Sequence, residues 1–170
     1  FDNLQETFFQ FDKAIEILNN ESNKVFLPKI TVLTSGFFND VVVNKENVVI
    51  GLDYFLPQSN KYKPRDLPAY ILDVYTPEHL SVTSLSTYLS QFNLINEQDL
   101  TMINEMISFG KLYYVVSELL PCIDERIVLG YSAEEYNLLD QNEAFIYSYF
   151  LQNELLFDKS NVIKQKYLSE

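Results

Sequence analysis

One cysteine, Cys122, and one histidine, His79, stand among 170 residues, and that scarcity restricts what can hold such a chain folded. A lone cysteine excludes an internal disulfide. Protein zinc sites draw three or four ligands mainly from His and Cys, so metal cross-linking has little to work with. The fold must therefore rest on apolar burial. The material for it is ample: 47% of the residues are apolar and 15% aromatic, with twelve Tyr, thirteen Phe and no Trp. The length suits one compact domain over residues 1–170 with a sizeable core. Chemistry is restricted too, because Ser-His-Asp and Cys-His centres need a histidine beside the nucleophile. Cys122, following Pro121, reads as a small core residue.

A formal charge of −12 argues against nucleic acid, whose phosphates call for clustered Lys and Arg. It also disfavours an anionic membrane surface as a partner for the protein face. No apolar run approaches the roughly 18 residues that would span a bilayer. The sequence starts at Phe1 with no basic stretch or signal-type apolar segment, so a targeting sequence is expected to lie outside it.

Leu4, Phe8, Phe11, Ile15 and Leu18 recur in steps of four and three, which predicts an amphipathic helix ended by Asn19, Asn20 and Ser22. Lys29–Phe37, rich in Ile, Val and Thr, reads as a strand closed by Gly36. Val41–Val43 and Val48–Ile50 flank Asn44–Asn47 as a hairpin. Residues 57–68, with Tyr62 and Arg65, form a proline-punctuated loop, followed by a short helix at Ala69–Val74. Thr76-Pro77 starts a helix to about Phe92 that buries Leu85, Leu89 and Phe92. Asn96 or Asp99 opens another to about Leu120, with Leu100, Ile103, Ile107, Gly110 and Tyr114 on one stripe, and Pro121 stops it. Ser132 and Glu135 form a capping box for a helix through about Gln152. The class is α+β: mostly helical, with a small antiparallel sheet.

Few side chains invite chemistry. Glu143 falls on the stripe Leu139–Glu143–Ile146–Phe150, and Lys111 on Ile103–Ile107–Lys111–Tyr114. A carboxylate on an apolar face needs a partner, so Lys111 is expected to pair with Glu143 or Asp53, as a packing anchor rather than a catalytic couple. Asp53 ends the second hairpin strand, where an aspartate more often bonds nearby backbone than catalyses. His79 reads as a surface or capping-region residue, since Thr83 one turn on offers no second imidazole. Tyr113, Tyr114, Tyr147 and Tyr149 are assigned to packing. The carboxylates near Asp66, Asp73 and Glu78 are too frequent to mark a glycosidase-like pair.

Taken in order, several segments form a recognisable set: Leu27-Pro28-Lys29-Ile30 with Thr34-Ser35-Gly36-Phe37; Val49-Ile50-Gly51-Leu52-Asp53-Tyr54-Phe55-Leu56; Leu67-Pro68-Ala69-Tyr70; Thr76-Pro77-Glu78; Met106 to Tyr114 around Gly110-Lys111, with Leu120-Pro121; and Asn142-Glu143-Ala144 with Glu154-Leu155-Leu156-Phe157. From about Phe8 onward this series resembles the gliding motility lipoprotein GldB family of the Bacteroidetes. The resemblance implies a lipid-anchored, periplasm-facing cell-envelope protein, with its lipoprotein signal and a C-terminal extension outside this segment. It implies work with other motility or envelope proteins, and no cofactor. The marker residues would be Gly36, Phe37, Gly51, Leu52, Asp53, Pro68, Tyr70, Gly110, Lys111, Pro121, Asn142 and Glu143.

The same resemblance implies a zincin-like architecture lacking the zinc motif. Zincins place two imidazoles one turn apart on a helix, with a glutamate that activates water. The counterpart segment here reads Ser84-Leu85-Ser86-Thr87-Tyr88-Leu89-Ser90, and Phe109 stands before Gly110 where a third ligand would be expected. The expectation is a non-catalytic scaffold acting through protein contacts, at a cleft lined by Val48–Asp53 and the helices around Tyr88 and Tyr114. The alternatives are a hydrolase, using zinc ligands outside this segment or the carboxylates of Asp53 and Glu143, and a small-ligand module using the aromatic cleft.

Overall fold

The computed structural model describes residues 2–22, 26, 28–57, 59–65 and 67–168, and of residues 2, 3, 69 and 70 the backbone only. The motif residue Leu27 and the acidic Asp66 lie outside the described residues. Helix α1 (Asp2–Glu21) opens the chain, followed by β1 (Lys29–Leu33), β2 (Val41–Val43) and β3 (Asn47–Gly51). Helices α2 (Ala69–Asp73), α3 (Leu80–Ser90), α4 (Met102–Leu119), α5 (Glu125–Val128), α6 (Ala133–Gln152) and α7 (Asn161–Leu168) come next, with a 3₁₀ turn at Leu155–Phe157 between the last two. The α+β class is as the sequence indicates.

The sheet is mixed rather than antiparallel. Its order is β1-β3-β2, with β1 parallel to β3 and β2 antiparallel to it. The hairpin forms as expected, Asn44 accepting from the Glu46 and Asn47 N–H groups at its turn. What the hydrophobic pattern could not reveal is that β1 does not pair with the strand that follows it. Residues 34–40 instead cross the end of β3, so β2 descends on the far side and β3 enters between the two. Strand β1 stops at Leu33, earlier than Phe37, because Gly36 and Phe37 turn the chain at positive φ.

The α1 stripe packs as its spacing requires: Phe11, Ala14 and Ile15 are buried, with Leu4 and Leu18 against them. Opposite lie Val48 and Ile50 of β3 and Leu85, Tyr88 and Leu89 of α3. Burying side chains of this size stabilises by about 1.5–3 kcal/mol each. Tyr88 meets Phe11, Phe26 and Phe92 at centroid distances of 6.1, 6.5 and 5.4 Å, in tilted or edge-on arrangements. Its hydroxyl donates to the Lys45 carbonyl. Asn19 closes α1 by bonding both the N–H and the C=O of Phe26.

Two helices depart from the sequence expectation. Helix α3 starts at Leu80, because Pro77–His79 form a turn in which the His79 N–H reaches the Thr76 carbonyl. Helix α4 turns a different face inward: Met102, Val116 and Leu119 are buried, while Leu100, Ile107 and Tyr114 are exposed. Apolar residues encircle α4, so periodicity alone offered more than one inward stripe. Helix α6 has the Ser132–Glu135 capping box in both directions, yet none of its residues is buried. An ion pair between largely buried Lys164 and Glu105 ties α7 to α4.

Candidate functional site

The marker residues that converge do so at the end of the sheet. The crossover segment 34–40 passes over Gly51, whose N–H donates to the Asp40 carbonyl at 2.6 Å. A Cβ at position 51 would collide with the Asn39 carbonyl oxygen and the Ser35 hydroxyl, so only glycine lets the chain cross this closely. The next N–H, of Leu52, reaches the Leu33 carbonyl at 3.0 Å, extending the pairing to β1.

Asp53 pins the crossover from beneath. Its buried carboxylate accepts the Ser35 N–H at 2.8 Å, the Phe37 N–H at 2.5 Å and the Ser35 hydroxyl at 3.1 Å. Burial by itself would raise the carboxyl's pKa, but these donors outweigh it and hold Asp53 below the ordinary aspartate range. Gly36 has φ of +70° and Phe37 +61°. For a residue with a Cβ this left-handed conformation costs about 1–2 kcal/mol. A hydrogen bond to a charged acceptor returns about 1.5–3 kcal/mol, which is enough to hold it.

The other end of the Phe37 peptide is held by Tyr54, whose hydroxyl donates to the Phe37 carbonyl at 2.8 Å, with the two rings edge-on at 5.8 Å. Burial, with Asp40 and Asp53 nearby, raises the Tyr54 phenol, so it stays a donor. Tyr75 packs its ring at a tilt against Tyr54, 4.9 Å between centroids, and donates to the Asp40 carboxylate at 2.7 Å. The result is a clamped loop that carries Phe38, 82% exposed, at its tip. Leu33 and Val42, flanking the crossover at the same end of the sheet, are also exposed.

Gly36, Phe37, Gly51, Leu52 and Asp53 therefore form one site, and Asp53 bonds backbone as expected, though from a segment 16–18 residues away rather than its own turn. Pro68 precedes α2 and accepts from Ile71 and Leu72, and Tyr70 lies in that helix. Pro121 follows the end of α4. Gly110 is exposed with open space where a Cβ would sit, and nothing in the structure explains a glycine there. Asn142 donates to the Leu138 carbonyl of its own helix.

Several expectations are corrected. Lys111 pairs with neither Glu143 nor Asp53: both Lys111 and Glu143 are exposed, and the Lys111 ammonium donates to the Leu94 carbonyl. The reason is the rotation of α4 and the outward setting of α6, which leave the predicted stripes in water. Cys122 is exposed rather than core, because Pro121 ends α4 and turns the chain along the surface. Tyr114, Tyr147 and Tyr149 are exposed, although the Tyr149 hydroxyl meets that of Tyr167. His79 lies in the capping region, as expected, at the N-cap position of α3, but it is buried rather than at the surface, and its ring shares a hydrogen bond with the Thr76 hydroxyl at 2.8 Å. Burial depresses its pKa, with Glu78 opposing and Arg126 reinforcing.

Of the residues expected to line a cleft between Val48–Asp53 and the helices around Tyr88 and Tyr114, Val48, Ile50 and Tyr88 are core and Tyr114 is exposed, so they line no common cleft. Nor do the residues on α3 suit a metal: the helix carries no His, Cys, Asp or Glu, and Ser84 and Tyr88 are fully buried in the core. Among the described residues no group of three or more His, Cys, Asp or Glu could hold a metal ion. Ser35, Asp40, Tyr54 and Tyr75 complete the site and were not singled out as site residues. Ser35 and Tyr54 lie inside quoted motifs, whereas nothing in the sequence links Tyr75 to Asp40.

Fold and site together define a mixed-sheet α+β fold in which five of the marker residues, Gly36, Phe37, Gly51, Leu52 and Asp53, build a hydrogen-bonded crossover loop. The chain belongs to the gliding motility protein GldB family, a lipoprotein family whose model matches residues 1–170. The match thus extends beyond the stretch from Phe8 that its motifs cover. No curated protein and no solved structure matches the chain, and the zincin likeness finds no support. No helix among the described residues is long and apolar enough to cross a membrane.

Proposed function

We propose that this chain is the non-catalytic, periplasm-facing domain of a lipid-anchored envelope protein, and that it serves gliding motility or the associated secretion machinery by docking other envelope proteins through its clamped crossover loop. The observation that carries this reading is Phe38, an aromatic side chain left in water at the tip of a loop whose backbone is fixed by Asp53, Tyr54 and Gly51. Aromatic anchors dominate interface energies, and a loop already ordered loses little further entropy on docking. A hydrolase built on Asp53 and Glu143 lacks comparable support. The Asp53 oxygens are committed to Ser35 and Phe37, and Glu143 stands in solvent on α6.

A photo-crosslinking residue at position 38, in cells, tests the reading. A discrete adduct with an envelope protein is expected, together with loss of spreading motility in a Phe38→Asp strain whose protein is still made and anchored. Unimpaired motility in that strain, or stoichiometric zinc in the purified protein, would overturn it.

A further inference from the structure

The sheet has two edge strands, and they are finished differently. Strand β2 is three residues long, and the Asp40 carboxylate takes the N–H of its first residue, Val41, at 2.6 Å. Strand β1 is five residues long and has no such cover. The Lys29 N–H reaches the Glu46 carbonyl, and the Leu33 carbonyl accepts from Leu52. With the parallel register that runs from Lys29 opposite Asn47 to Leu33 opposite Gly51, Lys29, Thr31 and Leu33 bond to β3. Ile30 and Val32 therefore turn their N–H and C=O groups to the outer edge. Among the described residues neither makes any other backbone hydrogen bond, and β1 packs substantially only against β3. Edge strands are usually blunted by charge, proline, a bulge or a covering segment. Here the proline, Pro28, stands before the strand, and the one charge, Lys29, stands at its end.

We infer that a second copy of this chain docks on the β1 edge, antiparallel about a twofold axis at Thr31. In that register Ile30 of each copy faces Val32 of the other, and each such pair exchanges both of its N–H···O=C bonds. The outward groups of Ile30 and Val32 on both strands are then all satisfied. Thr31 meets Thr31, a favourable cross-strand pair, and Lys29 falls opposite Leu33 rather than opposite a like charge. The strand holds no carboxylate, so the net charge of −12 is not gathered at the seam. Because the β2 edge is short and its Val41 N–H is taken, pairing closes at two copies instead of running on into a fibre. So short a seam makes a weak dimer. The pair carries two crossover loops, but its formation does not depend on what docks at Phe38.

Sedimentation equilibrium of the 170-residue protein, from micromolar to millimolar concentration, tests the inference. A monomer–dimer equilibrium is expected. Val32→Pro removes one outward N–H from each copy and leaves the bonds to β3 in place; it should raise the dimer Kd at least about tenfold. Thr31→Lys, at an exposed position, sets two ammonium groups face to face and should do the same with Tm unchanged. It decides the matter if the proline variant fails to fold. On a Cys122→Ser background, Thr31→Cys should form an intermolecular disulfide under mild oxidation, because residues paired at such a position have Cα atoms about 4.5 Å apart. Lys29→Cys, which faces Leu33, should not. A monomer at every concentration, assembly beyond the dimer, a dimer indifferent to Thr31→Lys, or equal cross-linking from positions 29 and 31 would overturn it.

Discussion

The end of the sheet and helix α6 resemble each other in sequence and differ in construction. Each sets a carboxylate among apolar residues, Asp53 after Val49-Ile50-Gly51-Leu52 and Glu143 between Leu139 and Ile146. Asp53 is drawn inside, where it ties down a segment that would otherwise have little reason to cross β3. Glu143 stays in water on a helix with no buried residue, held by its capping box and by contacts with the 3₁₀ turn and Tyr167. An apolar neighbourhood in sequence is thus no measure of burial. What separates the two is whether backbone donors from a distant segment arrive to solvate the charge.

Removing the clamp should have the largest effect. Asp53→Ala leaves the Ser35 and Phe37 N–H groups without their acceptor and is expected to destabilise by about 2–4 kcal/mol in chemical denaturation; a loss below about 0.5 kcal/mol would erase the contrast. Gly51→Ala should follow at about 1–3 kcal/mol, because the added methyl pushes on the Asn39 backbone. Its amide-exchange signature should be loss of protection at Ser35, Phe37 and Leu52 before the helices open.

Acid titration sharpens the comparison. The folded Asp53 carboxyl lies below its unfolded value, near pH 3.9, so its contribution is fully present above that value and is lost as pH falls through the folded one. Asp53→Asn should therefore flatten the stability curve below about pH 4, and an unchanged acid limb would break the assignment. The smallest effect is expected at Glu143→Gln, within about 0.5 kcal/mol of the parent. A sharp drop in Tm there would restore a buried role for α6.

Much of the fold was legible because its signals are local. The α1 stripe, the Asn44 hairpin turn, the stop at Pro121 and the Ser132–Glu135 box each act within a turn or two of chain, and each forms where its residues stand. The inward face of α4 was not legible, since a helix apolar on nearly all sides gives periodicity several equal answers. Of the site, the motif residues from Gly36 to Asp53 were visible, while their meeting was not. Tyr75 and Asp40, 35 positions apart, carry no pattern that would join them.

The sequence by itself determined that this chain must fold on an aromatic-rich core, without an internal disulfide, and that the segments of α1 to α4 and α6 become helix and those of β1 to β3 strand, while α5, the 3₁₀ turn and α7 were not marked by it. Those outcomes follow from composition and from interactions between near neighbours. Tertiary structure alone decided that β3 enters between β1 and β2, that Asp53 is buried while Glu143 is not, and that Phe38 stands in solvent. Each depends on which distant backbone groups come within hydrogen-bond reach, and short-range periodicity holds no record of that.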